Sequence, residues 1–186
     1  MTGDHFRILG IDPGSRITGF GILQLPRGAV NLKNIQLVAV GTLKSKSTLT
    51  PSERTGYLHE ALYTLASQYN PEICVIEKAF TGINPHSALR LGETRGALIA
   101  AVRRLGITVA EITPTQVKKI ITGQGHADKE QIATALRYLL GFDRGNLPPD
   151  ASDAVAIGLS YGLSLGHQLP QKPKARSPRG DEKTQL

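Results

Sequence analysis

The chain has 186 residues, of which 40% are hydrophobic and 20% charged, and its formal net charge is +7. That length and balance suit one soluble globular domain with a full core and are short for two. No apolar run approaches the ~20 residues of a membrane span, and Cys74, the single cysteine, excludes an internal disulfide and a cysteine-based zinc site.

The start, Met1-Thr2-Gly3-Asp4-His5, lacks the charged and apolar segments of a secretory signal, so a cytoplasmic location is expected. Phe6–Ile11 reads as a buried strand, and Asp12-Pro13-Gly14-Ser15 as a turn. Ile17–Leu25 and Val30–Leu43 are β-rich, separated by Pro26-Arg27-Gly28. An apolar parity shift near Asn34 points to a bulge or twist in that region. These segments make a three-stranded antiparallel meander.

Thr50-Pro51-Ser52-Glu53 is a helix-start signature, and Leu58, Leu62, Leu65, Ala66 and Tyr69 follow at helical spacing up to Pro71. Glu72–Ile76 is a short strand that finishes at Glu77. A second helix starts at Asn84-Pro85, with Ala88, Leu91, Leu98, Val102 and Leu105 on one face. Gly92 and Gly96, a turn apart, fit either close packing on the sheet or a helix–helix dimer contact. Ile107–Ile112 is a strand, Thr113-Pro114 opens a short helix, and Asp128 opens another. A last helix runs from Asp150 to about Gly166.

Residues 1–167 therefore read as one α/β domain, with three antiparallel strands followed by two parallel ones and flanking helices. Residues 168–186 read as a basic, proline-rich tail expected to be disordered. The overall basic excess favours a polyanionic partner such as DNA or RNA. Part of it is local to the tail, where Lys172, Lys174, Arg176, Arg179 and Lys183 outweigh Asp181 and Glu182. Removing that net +3 from +7 leaves +4 on the body.

Four acids stand out by position. Asp12 ends the first strand and Glu77 the fourth. Asp150 and Asp153 open the last helix, where three residues of rotation keep them within ~60° of each other. Each has a plainer reading: Asp12 as a turn former, Glu77 as an exposed strand end, Asp150 and Asp153 as a helix cap and a dipole-favoured acid. If the two strands are adjacent and parallel, a helix across their ends gathers all four. Such a cluster calls for hard divalent cations, and Mg²⁺ suits an all-oxygen ligand set facing a phosphate.

These residues resemble a known family. Gly10-Ile11-Asp12-Pro13-Gly14-Ser15-Arg16, Ile76-Glu77-Lys78-Ala79-Phe80 and Asp150-Ala151-Ser152-Asp153-Ala154 are similar to the acidic motifs of RuvC, the bacterial Holliday-junction resolvase family. Ser87–Gly92 with Arg95-Gly96 resembles its long central helix. Pro114–Lys118 and Asp128–Gln131 resemble its basic segments, all in family order from about residue 7 to 165. The resemblance implies an RNase H-like fold and a homodimeric endonuclease that nicks four-way DNA junctions symmetrically, leaving 5′-phosphate and 3′-hydroxyl ends. It makes Asp12, Glu77, Asp150 and Asp153 ligands of two Mg²⁺ per subunit, with Mn²⁺ able to substitute. It gives Phe80 a base-stacking role, and Arg90, Lys118 and Lys129 contacts to DNA. It also implies a branch-migration motor of the RuvA–RuvB type as partner.

Read from the residues alone, Phe80 fits a hydrophobic loop anchor, and the lysines fit ordinary solvated side chains. Rival functions are a related nuclease acting on structured RNA, a non-catalytic junction-binding module, and an actin/Hsp70-like nucleotide-binding domain. The last needs a second domain and further glycine-rich motifs absent from this chain.

Overall fold

The computed structural model describes residues 4–28, 34–78, 84–141 and 147–168, with side chains up to Leu165 in the last helix. Five strands form one sheet: β1 (His5–Asp12), β2 (Ile17–Pro26), β3 (Gln36–Lys44), β4 (Ile73–Glu77) and β5 (Thr108–Ile112), in the spatial order β3-β2-β1-β4-β5. β1–β2 and β2–β3 are antiparallel, while β1–β4 and β4–β5 are parallel. This is the mixed sheet that the sequence predicts. The expected irregularity is a bulge. Ile22 pairs Ala39 and Leu23 pairs Leu37, so Val38 is the extra residue, four positions beyond Asn34. The shift in apolar parity marked that an irregularity exists but not which residue absorbs it.

Both faces of the sheet are covered, which is why β1 reads as continuously apolar. On one face lie α1 (Pro51–Tyr69) and α2 (Pro85–Arg103), packed on Leu9, Ile11, Cys74 and Ile76. On the other lie α3 (Pro114–Thr122), α4 (Lys129–Leu140) and α5 (Pro149–Gln168), packed on Ile8, Leu23 and Val75. The helix starts follow the sequence signals. Thr50, Thr113 and Asp128 each close a capping box with the residue three positions on, and Asn84 caps α2. α1 stops at Asn70, which takes a left-handed conformation (φ 47°) just before Pro71.

Two details differ from expectation. α5 begins at Pro149, and Ser152 N–H bonds the Pro148 carbonyl (3.1 Å), so Asp150 lies inside the first turn and is not the cap. The plain capping reading of Asp150 therefore fails. Gly92 and Gly96 do not pack on the sheet either, because a Cβ added at either would meet nothing within 4 Å. They are exposed on the outer side of α2, beside Leu89 at 63% exposure.

Candidate active site

The register of β1 and β4 sets the site. Ile11 pairs Ile76, so the next residues, Asp12 and Glu77, leave the sheet side by side at the carboxyl ends of adjacent parallel strands. Ile8 and Val75 share their parity and pack in the core beneath α5, so both acids face that helix.

α5 can reach them because the strands beneath it are bare. A Cβ on Gly10 would lie 2.2 Å from the Ala154 carbonyl oxygen, and one on Gly19 would lie 1.9 Å from that of Asp150. Both contacts are impossible for any side chain, so glycine lets the helix backbone rest on the sheet. The first turns of α5 are thereby held across the ends of β1 and β4.

The result is a cleft of about 340 Å³ whose lining includes Asp12, Glu77, Asp153, Lys118 and Lys129. Val117, Ile132 and Ile157 close its apolar wall. The Lys129 Nζ stands 3.5 Å from Asp153 Oδ2, with the lysine side chain 75% exposed. Asp150 is absent from the lining but lies within electrostatic reach of Asp12.

Electrostatics record the crowding. Burial, then the charges of Glu77, Asp153 and Asp150, push the Asp12 carboxyl from 3.8 up to about 7, against a smaller opposing pull from Lys129. Burial and Asp153 likewise raise Glu77, again opposed by Lys129. The acids are close enough to repel. Among the described residues, though, no three acidic, imidazole or thiol groups converge into a ready coordination shell. The donor set still fits a hard divalent cation: all its oxygens come from carboxylates, two of them partly desolvated and short of countercharge. Asp12, Glu77 and Asp153 are the residues that could hold it, with Asp150 at the edge.

Of the other expected residues, Lys118 and Lys129 join the acids. Arg90 does not; it lies in a separate recess on the α1/α2 side. Phe80 lies outside the described residues. Arg95 is a support that reading the sequence missed. Its Nε donates to the Glu77 carbonyl (3.2 Å) and its guanidinium pairs with Glu111, tying the end of β4 to α2 and β5. Arg95-Gly96 was visible as part of a motif, but nothing in one dimension pointed its side chain at Glu77.

A sheet of this order, with its acids gathered at one end under a helix, defines an RNase H-like nuclease. The comparisons narrow the class. The family described as crossover junction endodeoxyribonuclease RuvC matches residues 8–161. The RuvC of Chlorobaculum parvum is 40% identical over 164 residues, covering 86% of this chain and 85% of its own. That of Alkalilimnicola ehrlichii is 41% identical over 155 residues, covering 83% and 90%. The chain belongs to the RuvC family of crossover junction endodeoxyribonucleases. Among solved structures, Thermus thermophilus RuvC in complex with a Holliday junction substrate superposes with a TM-score of 0.79 at 29% identity, over 88% of this chain and 96% of that one.

Proposed function

We infer that this protein is a Holliday-junction resolvase, an endodeoxyribonuclease acting in DNA recombination and repair. It hydrolyses one phosphodiester in each of two symmetric strands. One observation carries the chemistry: Asp12 and Glu77 stand in register at neighbouring strand ends, facing Asp153 across a cleft that also holds two lysines. Membership of a metal-dependent nuclease family and the likeness to a junction-bound relative support the substrate.

Divalent cations, when bound, supply the positive charge that neutralises the phosphate and makes water acidic enough to attack. We assign Mg²⁺, two per subunit, with Mn²⁺ as a substitute, to Asp12, Glu77 and Asp153, with Asp150 completing the set. Glu77 and Asp12 fix ligand oxygens on a rigid strand pair, and Asp153 brings a third from α5. Lys129 and Lys118 would present ammonium groups to phosphate oxygens. The apolar wall of Val117, Ile132 and Ile157 limits the water around them. Water adds to phosphorus, the 3′-oxygen leaves with a proton, and a 5′-phosphate remains.

We further propose that the enzyme works as a homodimer, so that two centres meet the two strands. The open face of α2, with Leu89, Gly92 and Gly96 exposed, suits a second copy of the helix. A branch-migration motor of the RuvA–RuvB type would deliver the junction, and Phe80 would stack on a base near the crossover. The nuclease domain is taken as residues 1–167 and the remaining tail as an appendage. A cytoplasmic location accords with a chromosomal substrate; among the described residues no helix is long and apolar enough to cross a membrane.

The test is a synthetic four-way junction incubated with Mg²⁺, with and without chelator. Paired symmetric nicks that vanish with chelator or in Asp12→Asn are expected. Preferential cleavage of structured RNA would overturn the substrate, and undiminished cutting by Asp12→Asn would overturn the ligand assignment.

A further inference from the structure

Arg54 sits in the first turns of α1, on the same buried side as Leu58 and Leu62, and is only 6% exposed. Its Nε is fully buried without a hydrogen-bond partner, and among the described residues its guanidinium forms no ion pair. Guanidinium does not lose its proton in a protein, so this is a permanently charged group with its Nε shut off from water and unpaired. An unpaired buried charge is strongly unfavourable, and folds that keep one supply it with a counter-ion.

Arg54 lines a small recess with Ser15, Thr55, Arg90, Glu93 and Thr94. The two threonines already donate elsewhere: Thr55 Oγ1 to the Pro51 carbonyl and Thr94 Oγ1 to the Arg90 carbonyl, each 3.1 Å. Among the described residues Arg90 brings a second guanidinium without an ion pair, and Ser15 a hydroxyl without a partner. Glu93 is the one acid in the lining, and it pairs with neither arginine. The lining therefore carries a surplus of one positive charge.

The recess has room for about 10 Å³, enough for a single oxygen-sized guest and too little for a free metabolite. A water there would supply an acceptor but no negative charge. An oxygen projecting from a larger anion outside supplies both. Position narrows the source. Ser15 is three residues beyond Asp12, a reach of at most about 10 Å, and α1 begins at the same edge of the sheet.

We propose that Arg54, with Ser15 and Arg90 at the mouth, seats a backbone phosphate of the DNA strand, one or a few nucleotides from the phosphodiester held at Asp12 and Glu77. The seat rests on the resolvase reading and deepens it. The acids act on one phosphate while Arg54, on the other face of the same sheet edge, fixes the strand's register by holding another.

The test measures binding of the full chain to an intact four-way junction in chelator, by fluorescence anisotropy across a salt series. Single uncharged methylphosphonates are walked through the positions flanking the cleavage site. Arg54→Met should weaken binding about tenfold and flatten the slope of log affinity against log salt by about 0.9. One methylphosphonate position should weaken the wild type and leave Arg54→Met unaffected. Arg54→Met should also melt no lower than the wild type in phosphate-free buffer, since it removes an uncompensated charge. If it melts far lower, the exposed Arg90→Ala carries the same methylphosphonate comparison.

Wild-type affinity and slope in Arg54→Met, or a methylphosphonate walk identical in both proteins, would overturn the seat. So would a loss of melting temperature in Glu93→Gln that is absent when Arg54 is already Met, because Glu93 would then be the internal counter-ion. Failure of the wild type to prefer junction over duplex would strike the resolvase reading instead. The slope difference, measured on duplex, would still judge the seat.

Discussion

Replacing Asp12 with asparagine should stabilise the metal-free protein while abolishing cleavage. The Asp12 carboxyl holds its proton up to about pH 7 in the fold, against 3.8 as its ordinary value. Between those values the folded chain binds more protons than the unfolded chain, so stability falls as pH rises through the window, with the full cost reached above pH 7. At 1.36 kcal/mol per pH unit the displacement corresponds to about 4 kcal/mol. Solvent screening at this partly exposed carboxyl reduces it to about 2 kcal/mol. Asparagine keeps the shape and cannot ionise. In chelator at pH 8, Asp12→Asn should therefore melt about 6 °C above the wild type, and at pH 4 the two should coincide. Added Mg²⁺ should reverse the order, because cation at a hundred times its dissociation constant stabilises the wild type by about 2.7 kcal/mol and finds one ligand fewer in the variant. The assay is thermal melting at several pH values, with and without Mg²⁺, beside junction cleavage. A metal-free Asp12→Asn no more stable than wild type at pH 8 would refute the crowded, desolvated cluster from which the metal site is argued.

Gly19→Ala should cost about 3 kcal/mol of stability and most of the cleavage, because its methyl would overlap the Asp150 carbonyl and lift α5 from the sheet; denaturant melts and junction assays check both. Lys129→Met should lower the single-turnover cleavage rate about 100-fold and steepen the loss of metal-free stability with rising pH, since it removes the charge that opposes the shifts at Asp12 and Glu77. Phe80→Ala should slow junction cleavage with little change in melting temperature; a large thermal loss would mark it as a core anchor instead. Deleting residues 169–186 should leave a folded, active enzyme with a weaker salt dependence of DNA binding; loss of folding would show that the tail packs.

Much of the fold was legible because its signals are local. Helix-start signals at Thr50, Thr113 and Asp128 and the turn at Asp12-Pro13-Gly14 depend on residues a few positions apart, and the structure has a helix start or a chain reversal at each. Handedness rules gave the parallel direction of β4 and β5, but the adjacency of β1 and β4 stood only as a condition until the fold was known. The cleft was legible only in part. Acids at two strand ends and a helix start suggested a cluster, and the register Ile11–Ile76 brought Asp12 and Glu77 together. Arg95 supporting Glu77, and the uncompensated Arg54, were not legible. A side chain's partner across 18 residues, or its lack of one, is decided by packing of helices whose relative rotation no single segment specifies. The same reason split Arg90 from the acids, although both sit in motifs of one family.

The glycines beneath α5 and the acids above them belong to one design. A helix seated on side chains would stand further off, leaving Asp153 too distant to face Asp12 and Glu77. Seating it on Gly10 and Gly19 brings a third carboxylate into range, but also brings three negative charges into a partly dry cleft. Close helix–sheet contact thus supplies both the proposed ligand geometry and the repulsion among the acids. Lys129 reduces that repulsion without removing it: its side chain is 75% exposed, and its pull on Asp12 is the weakest of the influences there. A fully buried lysine would neutralise the acids and compete with cations for them. An exposed one offsets part of the repulsion while staying open to solvent. The site is therefore tuned by how far Lys129 stays in water, and moving that ammonium inward should trade metal affinity for metal-free stability.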